Sequence, residues 1–310
     1  MNAQRPGLGI ALIILMASCF ASMDSTIRYL GAFLPVLLIL WARYSVQALV
    51  MAAWLGWRAA RQGSLAGLRA AHPRFQLVRG LLLLATSAMS FYGVQAMPVA
   101  EFSAINMLTP VIVTLLAATL LHEHVSPLRW ALVVGGFAGA LIVIRPGSGT
   151  FGWAVLFPLA GACFYASFQV LTAKLASLED PYTTHFYTGL TGALLLSLLL
   201  ALGPVEVMAP LRAAPPWQWG LLLGIGALGT VGHLLLILAL GLAPTGVLMP
   251  FVYVQIAVAA AIGWLAFDHV PDGYAWLGMA VVSASGASSA WLNVRQRTRP
   301  ATVTADTIAD

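Results

Sequence analysis

The chain has 310 residues, of which 60% are hydrophobic and only 8% charged, with a mean hydropathy of +0.90. That balance excludes a soluble globular domain, where about a quarter of residues carry charge. A net charge of +5 on so apolar a chain points to anionic lipid as the partner and away from nucleic acid.

Ten windows of about 20 apolar residues, enough to cross a hydrocarbon core, lie near 8–30, 35–57, 76–96, 101–121, 130–145, 152–173, 182–202, 217–239, 247–267 and 274–293. Each is predicted to be a helix, because in lipid only a helix or a closed barrel satisfies its own backbone. The alternating pattern of a barrel is absent. The first window holds Asp24, the single carboxylate well inside a span, with Arg28 one turn further out in a position to snorkel to the surface. MASC at 16–19 resembles a lipoprotein cleavage site, but one basic residue precedes it and nine windows follow, so no processing is expected. The second window holds Arg43, Tyr44 and Gln47 on neighbouring turns. At a rise of about 1.5 Å per residue, Asp24 lies about 9 Å and Arg43 about 12 Å from their outer helix ends. A short connection at Pro35 makes the two helices antiparallel neighbours, so the charges are expected to pair near the outer end of a cavity.

Tyr92 and Gln95 follow in the third window, then Asn106 and Thr109 ahead of Pro110 in the fourth. That proline removes a backbone hydrogen bond in mid-span. Glu101 and Glu123 mark its edges, where helix caps or loop contacts are expected. HEH at 122–124 lacks the spacing of a zinc-binding helix, so no metal is assigned. Gly135, Gly136 and Gly139 make the fifth window a close-packing helix. Beyond it come Tyr165 and Gln169, then His185, then Gly224, Gly226, Gly229, Gly232 and His233, then Tyr253 and Gln255. Aromatic rings beside amides suit a flat or zwitterionic organic solute. Asp24, His185 and His233 are candidate proton carriers. Cys19 and Cys163 occupy similar places in apolar segments and read as packing residues, not as a disulfide. Residues 295–310 read as a disordered polar tail.

The chain repeats itself at an offset of 145 residues. Ala21, Ser22 and Asp24 align with Ala166, Ser167 and Gln169, and Leu120, Glu123, His124 and Val125 with Leu265, Asp268, His269 and Val270. Basic residues then set the topology. With the N-terminus inside, Arg5, Arg58, Arg61, Arg69, Arg74, Arg129, Lys174, Arg295, Arg297 and Arg299 fall on inner segments, against Arg145 and Arg212 outside. Both termini are therefore expected in the cytoplasm. Five spans per repeat make the second copy enter from the opposite side, an inverted duplication.

No GxxxxGK[ST] or GxSxG run occurs, so neither ATP hydrolysis nor nucleophilic hydrolysis is expected, and no cofactor is assigned. Ala96, Pro98, Ala100, Ala104, Pro110, Glu123, Gly135 and Gly139, with MDSTIRYL at 23–30, RY at 43–44 and RPG at 145–147, resemble the EamA repeat of the drug/metabolite transporter superfamily. The second copy departs from that pattern, with Gln255 where the first has Pro110. The resemblance implies an all-α membrane protein of ten helices, with one repeat over residues 8–145 and a second over 152–294. It also implies a central cavity open to each side in turn, in an inner-membrane carrier that exports a small organic metabolite more often than it imports one. Uptake of a vitamin such as riboflavin is the alternative, and a channel, a sensor or an intramembrane enzyme stands in a different class. Asp24, Arg43, Tyr44, Gln47, Tyr92, Asn106, Tyr165, Gln169, Tyr253 and Gln255 are the candidate binding and gating residues.

Overall fold

A computed structural model describes residues 5–64, 69–109, 111–112, 116, 127–145, 148, 150–175, 178–203, 208–242 and 248–297. Among them the chain is all-helical: α1 (Pro6–Leu30), α2 (Val36–Gln62), α3 (Pro73–Ala96), α4 (Val99–Asn106), α5 (Pro127–Ile144), α6 (Leu156–Leu175), α7 (Pro181–Leu202), α8 (Pro216–Leu242), α9 (Val254–Phe267) and α10 (Gly273–Arg297). A short helix, Met208–Ala213, precedes α8, and 3-10 turns lead into α6 and α9. Six described helices are long and apolar enough to cross a membrane, and Trp130–Ile144 and Phe251–Phe267 are shorter apolar helices.

The local chemistry explains several boundaries. α1, α3 and α7 carry proline in the first turn, where its missing N–H costs nothing. Asp180 caps α7 by accepting from the N–H groups of Tyr182 at 2.9 Å and Thr183 at 3.2 Å. Gly63 ends α2 at φ +62°, a left-handed cap that favours glycine. Two windows differ from their predicted form. The fourth is broken by a turn at Met107–Leu108, with the Thr109 hydroxyl donating to the Asn106 carbonyl at 2.8 Å, and Pro110 and HEH at 122–124 lie outside the described residues. The ninth opens as the 3-10 turn Met249–Tyr253 and becomes regular at Val254. The tenth continues as helix to Arg297, so the beginning of the expected tail is helical.

Packing runs mainly between the two halves of the chain. α1 lies against α8, α2 against α7, α3 against α6, α4 against α9 and α5 against α10. Exchanging each helix of the first half for its counterpart five places on turns this set of contacts into itself. Glycine permits the closest approaches. A Cβ at Gly189 on α7 would lie 2.9 Å from the Ala48 backbone nitrogen on α2, and one at Gly139 on α5 would lie 2.8 Å from the Val282 backbone nitrogen on α10. The core is therefore shared between the halves: Ile27, Tyr44, Phe91 and Phe102 from the first half are buried in one cluster with Leu196, Ile225, Ile256 and Val282 from the second.

Candidate functional site

A layer of polar side chains crosses this shared core. Asp24 on α1 is buried and faces Gln255 on α9, whose amide Nε2 donates to Asp24 Oδ2 at 3.5 Å. Arg43 on α2 is only 2% exposed, and its guanidinium lies over the Tyr44 ring at 4.4 Å. Asp24 and Arg43 interact through space, but no ion pair within 4.0 Å joins them among the described residues. The expected direct pairing is replaced by Gln255 on the carboxylate and Tyr44 on the cation. The Arg43 Nε and Nη1 groups are buried without hydrogen-bond partners.

One turn along α2, Gln47 reaches α7. Its Nε2 lies 3.1 Å from the His185 carbonyl oxygen and 3.3 Å from His185 Nδ1. The His185 and His233 rings then stand 5.7 Å apart, and His233 Nδ1 is 2.9 Å from the Gly229 carbonyl oxygen one turn earlier on α8. Tyr44 shares a 3.0 Å hydrogen bond with Ser87 on α3. Tyr165 on α6 stands one turn before Gln169 and lies within electrostatic reach of both Arg79 and Arg43. Asp24, Arg43, Tyr44, Gln47, Tyr165, Gln169, His185, His233 and Gln255 thus form one layer drawn from both halves.

Three further predicted residues have other neighbours. Tyr92 is 38% exposed and stacks on Phe157, with ring centroids 6.1 Å apart, at the periphery. The Tyr253 ring packs against α10 at Gly286, and its hydroxyl is buried without a partner. Asn106 faces Gly161 on α6 with its Oδ1 likewise unpartnered.

Arg79 belongs to the layer and was missed by the sequence reading. Its Nε donates to the Thr172 hydroxyl at 2.7 Å, and its Nη1 donates to the Thr184 carbonyl at 3.2 Å and the Thr188 hydroxyl at 2.6 Å. One turn before it, Gln76 donates to the Thr184 hydroxyl at 3.1 Å. The available signal was an arginine six residues inside a helix that starts at Pro73.

Ion pairs between the halves flank the layer at both ends of the bundle. At one end, Arg28 does not snorkel as expected: its Nη1 donates to the Val94 and Met97 carbonyls at the end of α3. The negative end of that helix dipole holds the cation in place. Beside it, Glu101 is 3% exposed and accepts from His269 Nε2 at 2.9 Å, so the edge carboxylate is a loop contact across the halves. Arg145 and Asp272 pair at 2.7 Å nearby. Asp272 is outside the helices, and the Ala275 N–H, followed by Arg145, holds its carboxyl below the ordinary range. At the other end, Arg58 meets Asp180 at 3.2 Å, while Glu179 accepts from the backbone N–H groups of His72 at 2.7 Å and Ala71 at 3.2 Å.

Cys19 is buried and Cys163 exposed, and both are free thiols. Among the described residues no cluster of three or more His, Cys, Asp or Glu side chains is arranged to hold a metal.

Comparison with known proteins places this arrangement. The model of the EamA-like transporter family matches residues 7–145 and again residues 152–287. A riboflavin transporter of Rhizobium johnstonii is 30% identical over 76% of this chain and 76% of its own. A pseudopaline exporter of Pseudomonas aeruginosa is 28% identical over 85% of this chain and 89% of its own. A crystal structure 21% identical in sequence superposes with a TM-score of 0.61, covering 94% of this chain and 97% of its own, and shares the fold. The chain belongs to the EamA-like transporter family and is a multi-pass membrane protein.

Proposed function

We propose that this member of the EamA-like transporter family is a secondary-active carrier for a small organic metabolite, working by alternating access across the bacterial inner membrane. In this reading the chain crosses the membrane ten times, as five-helix repeats of opposite orientation over residues 8–145 and 152–294, with both termini in the cytoplasm. The contact set that survives exchange of the halves supports that arrangement, and binding at a repeat interface is the general expectation for duplicated carriers.

The observation that carries the proposal is the buried polar layer between the halves. Arg43 Nε and Nη1, Gln47 Oε1, His185 Nε2 and His233 Nε2 are buried with no partner. Leaving so many groups unpaired is costly in a membrane protein, about 1–3 kcal/mol for each, unless a solute takes them up in turn. Asp24, Arg43, Gln47, Tyr165, Gln169 and Gln255 would orient that solute, with Asp24, His185 or His233 carrying a coupling proton. Glu101–His269 at one end and Arg58–Asp180 at the other would break alternately as each side opens.

Export is the direction we propose, in line with the pseudopaline exporter. Uptake of a flat vitamin is the second reading, favoured by the riboflavin transporter and by the aromatic and amide groups of the layer. Counterflow in proteoliposomes tests the proposal. A carrier gives saturable exchange of labelled solute against an unlabelled internal pool. Flux that rises linearly with concentration, or no flux across a panel of flavins, nucleosides, amino acids and carboxylated metallophores, would contradict it. Assays in oppositely oriented vesicles then read the direction.

A further inference from the structure

Hydrogen-bond partners assign the two buried imidazoles opposite roles. A carbonyl oxygen only accepts, so the Gln47 atom 3.1 Å from the His185 carbonyl oxygen must be the amide nitrogen. The same nitrogen, 3.3 Å from His185 Nδ1, donates to that ring. A neutral imidazole that accepts at Nδ1 carries its proton on Nε2. His185 therefore presents an Nε2–H donor.

For His233 the logic runs the other way. Its Nδ1 faces the Gly229 carbonyl oxygen at 2.9 Å and must carry the proton, which leaves Nε2 as an acceptor. Both Nε2 atoms are buried and lack a partner, on rings 5.7 Å apart. Arg43 stands beside them: Gly229, which fixes His233, also faces Arg43 Nε, since a Cβ there would lie 3.3 Å from that nitrogen. Arg43 contributes further donors, Nε and Nη1, that are also buried and unpaired. Arg79 does not compete for this role, because its Nε and Nη1 are committed to Thr172, Thr184 and Thr188.

We propose that His185, His233 and Arg43 form a recognition site for the cyclic imide or lactam edge of a planar heterocycle. The ring N–H of the solute donates to His233 Nε2, and its flanking carbonyl oxygens accept from His185 Nε2–H and from Arg43. Gln47 and the Gly229 carbonyl are positioning groups that set the two tautomers. Simple carboxylates fit poorly because they offer no donor to His233. Arg43 and Gln47 lie on α2 of the first half, and both histidines lie on α7 and α8 of the second, so the site assembles only as the halves come together. This inference rests on the carrier reading and names its substrate class.

The test uses the purified full-length protein and the quenching of its 10 tryptophans. Riboflavin, uridine and lumazine each contain an imide N–H between two carbonyls, and each is compared with its derivative methylated at that nitrogen. At least one parent compound is expected to bind saturably, and methylation to weaken it about tenfold or more, because a site built to accept that N–H is left unpaired. His233→Phe keeps an aromatic ring against Phe20 and removes the acceptor, so parent and methylated compounds should then bind alike. Gln47→Met, which releases the His185 tautomer, should weaken parent and methylated compound alike, because both carry the carbonyl that His185 meets, and serves if the first variant does not fold. The inference is overturned if no parent binds, if wild-type protein does not distinguish parent from derivative, if folded His233→Phe still does, or if folded Gln47→Met binds both compounds as wild-type protein does. If counterflow of an unrelated solute survives any of those results, only the substrate class has failed. If no solute undergoes counterflow, the carrier reading itself has failed.

Discussion

At the Arg28 end of the bundle, the halves meet through Glu101 and His269 at 2.9 Å, with Arg28 on the carbonyls that end α3. At the Arg58 end, they meet through Arg58 and Asp180 at 3.2 Å and through Glu179 on two backbone N–H groups, with Arg79 of the polar layer on three oxygens further along α3. The first closure depends on an imidazole, which is charged only when protonated. The second relies on guanidinium groups, which stay charged at any working pH, and on backbone donors that never titrate. The two ends of the bundle are thus held by different chemistry. The Arg58 end holds by number and geometry of bonds, and the Arg28 end by one imidazole–carboxylate contact.

The largest effect is expected at Arg79. Arg79→Met removes three hydrogen bonds between α3 and the second half. Bonds to a charged group contribute about 1.5–3 kcal/mol each. Transport per folded molecule should fall at least about tenfold, by the loss of about 1.4 kcal/mol from even one of them. Arg79→Lys should not restore it, because an ammonium cannot span the same fork. Full rescue by lysine would reduce Arg79 to a point charge and erase the contrast in geometry.

A smaller and more selective effect belongs to the Arg28 end. His269→Ala takes the imidazole from the buried Glu101 carboxylate, so the exposure of a cysteine placed at this end, read by thiol labelling, should rise. The same reading at the Arg58 end should stay at its wild-type value, and an equal rise at both ends would remove the distinction between them.

The smallest effect is expected at Arg145–Asp272, a half-exposed pair that adds little by charge. Asp272 also caps α10 by accepting from the Ala275 N–H at 2.8 Å. Asp272→Ala should lower the thermal midpoint slightly, by an amount constant between pH 8 and pH 5. Because the folded carboxyl lies below its ordinary range, its stabilisation is complete above about pH 4 and is lost as pH falls further through the folded value. A loss that grows between pH 7 and pH 5 would rule out this carboxylate as its source.

The sequence made the apolar helices easy to read and the identity of their partners hard. α1, α2 and α3 start within a few residues of their windows, because a run of apolar residues bounded by proline or basic loops is a local signal. Asp24, Gln47, His185 and Gln255 could each be singled out as an expensive polar group in a span. Which of them meet is set by packing between α1 and α9 and between α2 and α7, and a single chain carries no local trace of that choice. Hence Asp24 was matched with Arg43 on the adjoining helix, while its bonded neighbour is Gln255, 231 positions along the chain. Arg28 was misjudged and Arg79 missed for the same reason. Each lies within two turns of a helix end, where arginine usually reaches for the surface, and only the facing carbonyls of α3 and the threonines of α6 and α7 explain their inward course. Glu101 read only as an edge residue until the halves were brought together against His269.

The central claim, that the polar layer between the halves handles the solute, is tested most directly by transport normalised to monodisperse, folded protein for Arg43→Gln, Asp24→Asn and the double variant. Arg43→Gln removes the unpaired guanidinium, and Asp24→Asn removes the carboxylate bonded to Gln255. Each single variant is expected to lose transport by about tenfold or more, with the double variant no worse than the poorer single one if the two act as a unit. Wild-type turnover per folded molecule in all three would contradict the claim and leave these residues as a structural bridge between helices.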